Sequence, residues 1–401
     1  MVASESHGTT LTFNLQKIAF LGICVALLYG ASPYVAAQWF GERLPFLESY
    51  TGAFALSFFV AGLLAFPWAR TLSFRFQLDE NRVLGATMAS TLLFVIVQIS
   101  VYSSFEAAFV SAYTERAGIK PEGGLVFLFS PVLMMFLACL SASLLSIAAR
   151  GSRIHWPLVL MAVIASLFIF GLGSRNSLLW AYSGVLGLLV SRMKYRSILL
   201  LAFLLYLAAV LFAYVRNNAV LAFLFGVGDI VAPLTKEYFN PIVHEFGSSY
   251  RLYEMISSDP FAGTLVSNAP YGVFESIFWN MLPLAMKPSD FVSFTTSLSL
   301  MYASEGQGVG SSPMTELFFS QGASLGSIAL VAVAIFWPPQ YWKGWVGYRF
   351  LCVCLSIAVY FNFWRIGTAE LLKMYFSFVV AFMIFGKFIK LRVVDVPSGQ
   401  A

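Results

Sequence analysis

The chain has 401 residues, of which 59% are hydrophobic and only 11% are charged, and its mean hydropathy is +0.80. Soluble globular domains carry about a quarter charged residues, so this composition excludes that class and indicates an integral membrane protein. The net charge of +5 comes from basic residues that flank apolar segments. That distribution is typical of membrane topology, not of a nucleic-acid-binding surface.

Repeated apolar segments with charged flanks predict transmembrane helices and not the alternating strands of an outer-membrane barrel. The expected fold class is all-α, a polytopic helical bundle that forms a single membrane domain over residues 1–401. The segment before the first span lacks the features of a cleavable signal peptide, so every span is expected in the mature chain. We predict ten spans, at residues 17–39, 50–68, 83–104, 124–148, 156–172, 177–191, 197–215, 316–336, 345–362 and 369–388.

Basic residues alternate between the two faces of the predicted bundle. Lys17 and thirteen other lysines and arginines lie on one face, against five in the short loops of the other. The positive-inside rule then places both termini in the cytoplasm and predicts a multi-pass protein of the inner membrane. The first face carries residues 70–82, 150–153, 192–196, 343–349 and 387–392.

The four cysteines all lie within predicted spans, at Cys24, Cys139, Cys352 and Cys354. No disulfide framework is expected from them. Cys352 and Cys354 are two residues apart, which directs their side chains to different sides of a helix and disfavours a metal site. Because the chain also has no Asp-x-Asp pair and no histidine and carboxylate cluster at ligand spacing, we expect neither a metal nor another cofactor.

One connection is far longer than the others, residues 216–315 between the seventh and eighth spans, and its predicted side is periplasmic. Its aromatic and apolar content predicts an ordered segment that folds onto the bundle. Two pieces of it resemble interfacial or re-entrant helices, NAVLAFLFGVGDIVAPL ending at Leu234 and YGVFESIFWNMLPLAM from Tyr271. If both crossed the membrane fully, the count would be twelve and the termini would still share one side.

The stretch GQGVGSSPMTELFFSQG, residues 306–322, is rich in glycine but lacks the Gly-Lys-Ser/Thr of a nucleotide-binding loop. Ser312 followed by Pro313 fits a helix N-cap with proline at the first helical position, and Glu316 would complement the positive end of that helix. A helix start at the outer mouth of the eighth span is the plain structural interpretation.

The same stretch also resembles a late signature of Wzy-type O-antigen and exopolysaccharide repeat-unit polymerases, through Gly308, Gly310, Ser312 and Glu316. GSRNSLL at residues 173–179 is similar to the Gly-Ser-Arg that opens a middle helix in that family, and HEFGSSYR at residues 244–251 is similar to a segment of its large periplasmic loop. The resemblance covers roughly residues 170–370. The first half of the chain matches only in having hydrophobic helices.

The resemblance implies a glycosyltransferase of lipopolysaccharide or related polysaccharide biosynthesis. Its substrate would be a polyprenyl-pyrophosphate-linked oligosaccharide, undecaprenyl pyrophosphate being the carrier, and the reaction would occur at the periplasmic face of the lipid bilayer without a metal. A flippase and a chain-length regulator are implied partners, and no nucleic acid is expected.

That chemistry needs positive groups for the departing pyrophosphate and a base for the acceptor hydroxyl. Guanidinium groups bind phosphate oxygens bidentately, and four arginines lie on the face that the positive-inside rule should deplete. The candidate base is Glu245, which the resemblance favours, or its neighbour His244. Other carboxylates lie nearby, at Asp229, Glu237, Glu254, Asp259 and Glu275, and their spacing singles none out. The candidate pyrophosphate ligands are Arg175, Arg216, Arg251 and Arg365.

Each of these assignments has a competing interpretation. The arginines could be anchors whose side chains extend to the lipid headgroups, and Arg365 could pair with Glu370. His244 and Glu245 could be solvated loop residues. At the level of function, an O-antigen ligase would share the build and the donor but transfer finished glycan to the lipid A core. A transporter is the alternative without enzymatic activity, although the spans are nearly free of the charge that transport sites use.

Overall fold

In the computed structural model the described residues are 9–41, 43–45, 48, 50, 71–110, 128–150, 155–171, 175–217, 233–235, 239–240, 247–258, 273–282, 286–291, 346–363 and 367–396. Most of them are helical. The helices are α1 Leu15–Phe40, α2 Glu80–Tyr102, α3 Phe129–Arg150, α4 Trp156–Gly171, α5 Arg175–Arg192, α6 Tyr195–Asn217, α7 Ser248–Ser258, α8 Val273–Met281, α9 Val346–Asn362 and α10 Thr368–Phe388. A π-helical turn occupies Glu106–Val110, and the strands are β1 Thr9–Asn14, β2 Thr71–Gln77 and β3 Arg392–Val396.

Four of these helices are long and apolar enough to cross a membrane, namely α1, α2, α3 and α10 from Ala369. Shorter apolar helices cover Trp156–Gly171, Tyr195–Leu211 and Val346–Asn362. The structure thus supports a helical membrane protein. Eight of the ten predicted spans coincide with described helices. The span 316–336, and the span 50–68 except for Tyr50, lie outside the described residues, so the total of ten stays a prediction.

Local sequence explains where the first helices begin and end. Asn14 caps α1, because its side-chain oxygen accepts a hydrogen bond from the Lys17 backbone N–H at 3.1 Å. Gly41 ends α1 with a φ of +69°, a left-handed conformation that glycine adopts without steric cost. Asp79 caps α2 in the same way through the Arg82 backbone N–H at 3.2 Å.

A three-stranded antiparallel sheet of order β1-β2-β3 closes one end of the bundle. Its alternate residues Leu11, Phe13, Phe74 and Phe76 are at most 3% exposed, and the Phe350 ring of α9 packs against the three phenylalanines at centroid distances of 5.3 to 6.2 Å. The predicted all-α class is therefore correct for most of the described chain but misses this sheet. It was missed because strands of five to seven residues lie within segments that the charge pattern marks as basic loops and tails.

Several helix ends meet the sheet, and we call this end of the bundle the sheet end. Ser191, near the end of α5, accepts a hydrogen bond from the Asn14 backbone N–H at 2.8 Å, and its carbonyl accepts one from Lys17 Nζ at 3.0 Å. An ion pair joins Arg150 at the end of α3 to Glu80 at the start of α2. The charge pattern assigns several basic segments to one face, and the described parts of these segments lie close together at the sheet end.

Close helix packing in the bundle depends on small residues. A Cβ on Gly184 of α5 would lie 3.1 Å from Leu145 Cδ2 of α3 and 3.3 Å from Cys354 Cβ of α9, so a larger residue would require these neighbours to shift. The Thr87 and Ser143 hydroxyls, 2.8 Å apart, join α2 to α3 in the buried interior. Small and hydroxyl side chains therefore hold the apolar helices in contact, as expected for packing within a membrane.

Candidate functional site

Three of the four predicted arginine positions have described backbones, and all three lie away from the sheet. Helix α5 ends near the sheet and therefore begins at Arg175 at the opposite end, which we call the far end. Helix α6 starts at the sheet end, where the Tyr195 ring lies 5.1 Å from Phe20 of α1, and runs through Arg216 to the far end. The 26 residues of α1 separate the two ends by about 39 Å.

Helix α7, which carries Arg251, is seated at the far end by aromatic contacts. The Tyr250 hydroxyl donates a hydrogen bond to the Pro45 carbonyl, just beyond the end of α1. The fully buried Tyr50 ring contacts Tyr250 at 5.3 Å and Tyr253 at 5.6 Å. This part of the long connection therefore packs on the bundle, and the backbones of Arg175, Arg216 and Arg251 share one end of the molecule.

Glu254 lies one turn after Arg251 on α7, and both side chains are partly buried. Burial raises the pKa of Glu254 above its usual value of 4.5, while the positive charge of Arg251 acts in the opposite direction. Burial also raises the pKa of Tyr250 and that of Tyr253. Sequence spacing alone did not single out Glu254, although its i,i+3 relation to Arg251 was a readable signal.

A second polar group forms where α8 packs against the first turns of α10. Ser276 and Asn280 of α8 are only 1% and 9% exposed. Lys287, which follows α8, donates a hydrogen bond from Nζ to Asn280 Oδ1 at 3.1 Å, and its Nζ lies 5.1 Å from the centre of the Phe291 ring. The sequence predicts an interfacial helix over this segment, and α8 lies within it, but no sequence pattern singles out Lys287.

Two charged residues of α10 act on Lys287. Burial lowers the pKa of Lys287, the charge of Lys373 lowers it further, and Glu370 raises it. Glu370 is in the first turn of α10, and Lys373 follows one turn later. The far end therefore holds two lysines, one carboxyl group and one amide in a partly buried group.

The remaining predicted site residues lie outside the described residues. They are His244, Glu245, Arg365, Gly308, Gly310, Ser312 and Glu316.

The described guanidinium, ammonium and amide donors at the far end suit an anion, and the carboxyl groups of Glu254 and Glu370 lie among them. Within the described ranges, no group of three or more His, Cys, Asp or Glu side chains could hold a metal ion. All four cysteines are buried and free. Comparisons of the chain with protein-family models, with curated proteins and with solved structures find no match.

Proposed function

We propose that this chain is a glycosyltransferase that polymerises oligosaccharide repeat units linked to polyprenyl pyrophosphate. The observation that carries the proposal is the shared position of Arg175, Arg216 and Arg251 at the end of an apolar bundle opposite the sheet. In the predicted topology this end faces the periplasm, the side that the positive-inside rule depletes of basic residues. Three arginines there therefore call for a role beyond anchoring. The sequence motifs around residues 175, 244 and 308 add the resemblance to repeat-unit polymerases.

In the proposed reaction a sugar hydroxyl of one lipid-linked unit attacks the anomeric carbon of the growing chain. The bond between that carbon and the pyrophosphate oxygen breaks, and the polyprenyl pyrophosphate leaves with the electron pair. The hydroxyl proton passes to Glu245 or His244, and Glu254, at the far end on α7, is a further candidate carboxyl. Arginines neutralise the charge that develops on the leaving pyrophosphate.

The proposal includes a topology. Both termini and the sheet end would be cytoplasmic, ten spans would cross the inner membrane, and the far end with residues 216–315 would face the periplasm. Reporter fusions after Arg75, Arg153 and Lys194 should then be cytoplasmic, and a fusion after Ser258 should be periplasmic. A cytoplasmic Ser258 would separate the site from its substrate and would refute the scheme.

The pyrophosphate role is tested with a matched pair of arginine variants on one helix. Arg175→Lys keeps the positive charge and the ability to anchor but loses the bidentate guanidinium, so polymer yield should fall at least tenfold, about the value of one charged hydrogen bond. Arg192→Lys, at the sheet end of α5, should polymerise normally. Full polymer from Arg175→Lys at normal membrane levels would favour the anchor interpretation.

The base and the reaction class are tested together in cells that carry Glu245→Gln, with His244→Gln and Glu254→Gln in parallel. A polymerase defect should leave single repeat units on the final acceptor, because ligation still works. A ligase defect should leave the acceptor bare, with long glycan retained on the polyprenyl carrier. A gel of surface glycan distinguishes these outcomes, and normal long chains from one variant would exclude that residue as an essential base.

A further inference from the structure

Helix α8 buries two polar side chains, and its exposed side chains, within the described part of the helix, are the aromatic Phe278 and the charged Glu275. Ser276 and Asn280, four residues apart, face the bundle at 1% and 9% exposure, while Phe278 is 58% exposed. Met286, beyond the end of α8, is 64% exposed. Surface helices of water-soluble proteins usually bury their aromatic side chains and leave the polar ones in water. The exposed Phe278 therefore suits contact with lipid, while Ser276 and Asn280 face the bundle.

The buried amide of Asn280 has unused hydrogen-bonding capacity. Its Oδ1 accepts from Lys287 Nζ at 3.1 Å, whereas its Nδ2 has no hydrogen-bond partner among the described residues. A buried donor without a partner carries a desolvation cost that no hydrogen bond offsets. An acceptor bound beside Lys287 would remove that cost.

The charges around Asn280 favour an anionic acceptor. Lys287 and the two groups whose charges act on it, Lys373 and Glu370, together carry a net charge of +1. The carboxyls of Glu275 and Asp290, which flank this segment in sequence, are exposed. The first turn of α10 adds backbone N–H groups, since its N-cap residue Gly367 supplies no side-chain cap. Mutual repulsion between the two lysines would be relieved by an anion between them.

We propose that Asn280, Lys287 and Lys373 bind the phosphate group of a lipid at the far end of the bundle. Two ammonium groups and an amide N–H supply donors to phosphate oxygens, and the exposed Phe278 and Met286 lie where the lipid chains would run. The site does not depend on glycosyl transfer, because the phosphodiester of a glycerophospholipid and the pyrophosphate of a polyprenyl carrier both present anionic phosphate oxygens.

The test uses the full chain, purified in neutral detergent, with native mass spectrometry to measure bound lipid. The probes are phosphatidylglycerol, undecaprenyl pyrophosphate, a diacylglycerol with the same acyl chains but no phosphate, and free inorganic pyrophosphate. We expect at least one phosphate lipid to bind well above both the diacylglycerol and free pyrophosphate. Preference for undecaprenyl pyrophosphate would assign the site to the carrier, and preference for phosphatidylglycerol would assign it to the bilayer.

Substitutions locate the bound phosphate. Lys287→Gln and Lys373→Gln should each weaken lipid binding about tenfold, the value of one charged hydrogen bond. Asn280→Asp keeps the acceptor for Lys287 and the side-chain shape, so it should retain thermal stability yet lose binding to a similar degree. Lys387→Gln, on the exposed opposite end of α10, is the matched control and should bind as wild type.

Three results would overturn the proposal. These are unchanged binding in folded Asn280→Asp protein, an equal loss in Lys387→Gln, or equal binding of the diacylglycerol. Equal affinity for free pyrophosphate would overturn the claim that the bound phosphate belongs to a lipid. If a lysine variant fails to fold, the Asn280→Asp result decides, because that change preserves the hydrogen bond to Lys287.

Discussion

Phe350→Ala should open the sheet end of the bundle. The Phe350 ring is fully buried and lies 5.3 Å from Phe74, 5.7 Å from Phe76 and 6.2 Å from Phe13, so it joins α9 to the two longer strands. Truncating a buried phenylalanine to alanine costs about 3–5 kcal/mol, which combines lost burial with the cavity left behind. At about 1.4 kcal/mol for each factor of ten, the opening equilibrium should rise by about 140-fold to about 4,000-fold.

The four buried cysteines provide the assay. Cys352 and Cys354 lie within about one turn of Phe350 on α9, and both are buried, so a thiol-reactive fluorophore reports opening around them. We expect Phe350→Ala to accelerate labelling in detergent and to lower the temperature at which labelling becomes rapid. Phe388→Ala removes the same ring from a site that is 60% exposed and should change neither property.

A double-variant cycle isolates the ring contact. If Phe74→Ala and Phe350→Ala remove one shared cluster, their effects should fall short of additive by about 0.5–1.5 kcal/mol, the usual value of an aromatic pair. If the Phe350→Ala protein is labelled at the rate of the wild type or of the Phe388→Ala protein, the inference that the Phe350 ring holds the sheet against the bundle is refuted.

Three further predictions concern helix packing, an ion pair and a buried carboxyl. Gly184→Val should destabilise the detergent-solubilised protein by about 1–3 kcal/mol in a thermal unfolding assay, because its Cβ would lie 3.1 Å from a leucine of α3. Gly85→Ala is the control: the space around Gly85 is open, so this variant should be neutral or stabilising in the same assay. Asp395→Asn should lower the free energy of unfolding by about 2 kcal/mol, because it leaves Arg349, whose side chain is only 13% exposed, without its ionic partner. An equal loss of stability when both residues are made apolar would contradict this reason. Glu254→Gln should slow hydrogen exchange of α7 at pH 7, because the raised pKa of Glu254 means that its ionisation opposes docking of the helix. This difference between variant and wild type should disappear below the usual pKa of 4.5, where the carboxyl is protonated in both the docked and the undocked state. Equal exchange of the two proteins at pH 7 would refute the assigned cause.

The helical part of the fold was predictable because its signal is local. An apolar segment near 20 residues long reports a bilayer-crossing helix through its own composition, and the predicted spans coincide with α1, α2, α3 and α10 within a few residues. The sheet illustrates the opposite case. The alternation in TLTFN and LSFRF is a strand signal, but the register pairs Thr9 with Phe76, and β3 follows more than 300 residues after β2. No local pattern identifies such a partner.

The candidate site divides in the same way. The arginines were found because a positive charge on a depleted face stands out in sequence, and the described backbones at Arg175, Arg216 and Arg251 share one end. Lys287 was not found, since its contacts depend on an amide seven residues earlier and on charges of α10 more than 80 residues later. The roles of His244, Glu245 and residues 308–316 stay predictions.

The sequence by itself determined that this chain is a helical membrane protein and where most of its described helices run. These properties follow from the free-energy cost of placing charge and unpaired backbone groups in hydrocarbon. Each segment avoids that cost through its own sequence, independently of its neighbours. Only the tertiary structure decided that three short strands close the sheet end, and that Lys287 meets α8 and α10 at the far end. Both arrangements depend on contacts between distant segments, whose energies arise only once the apolar helices have packed together.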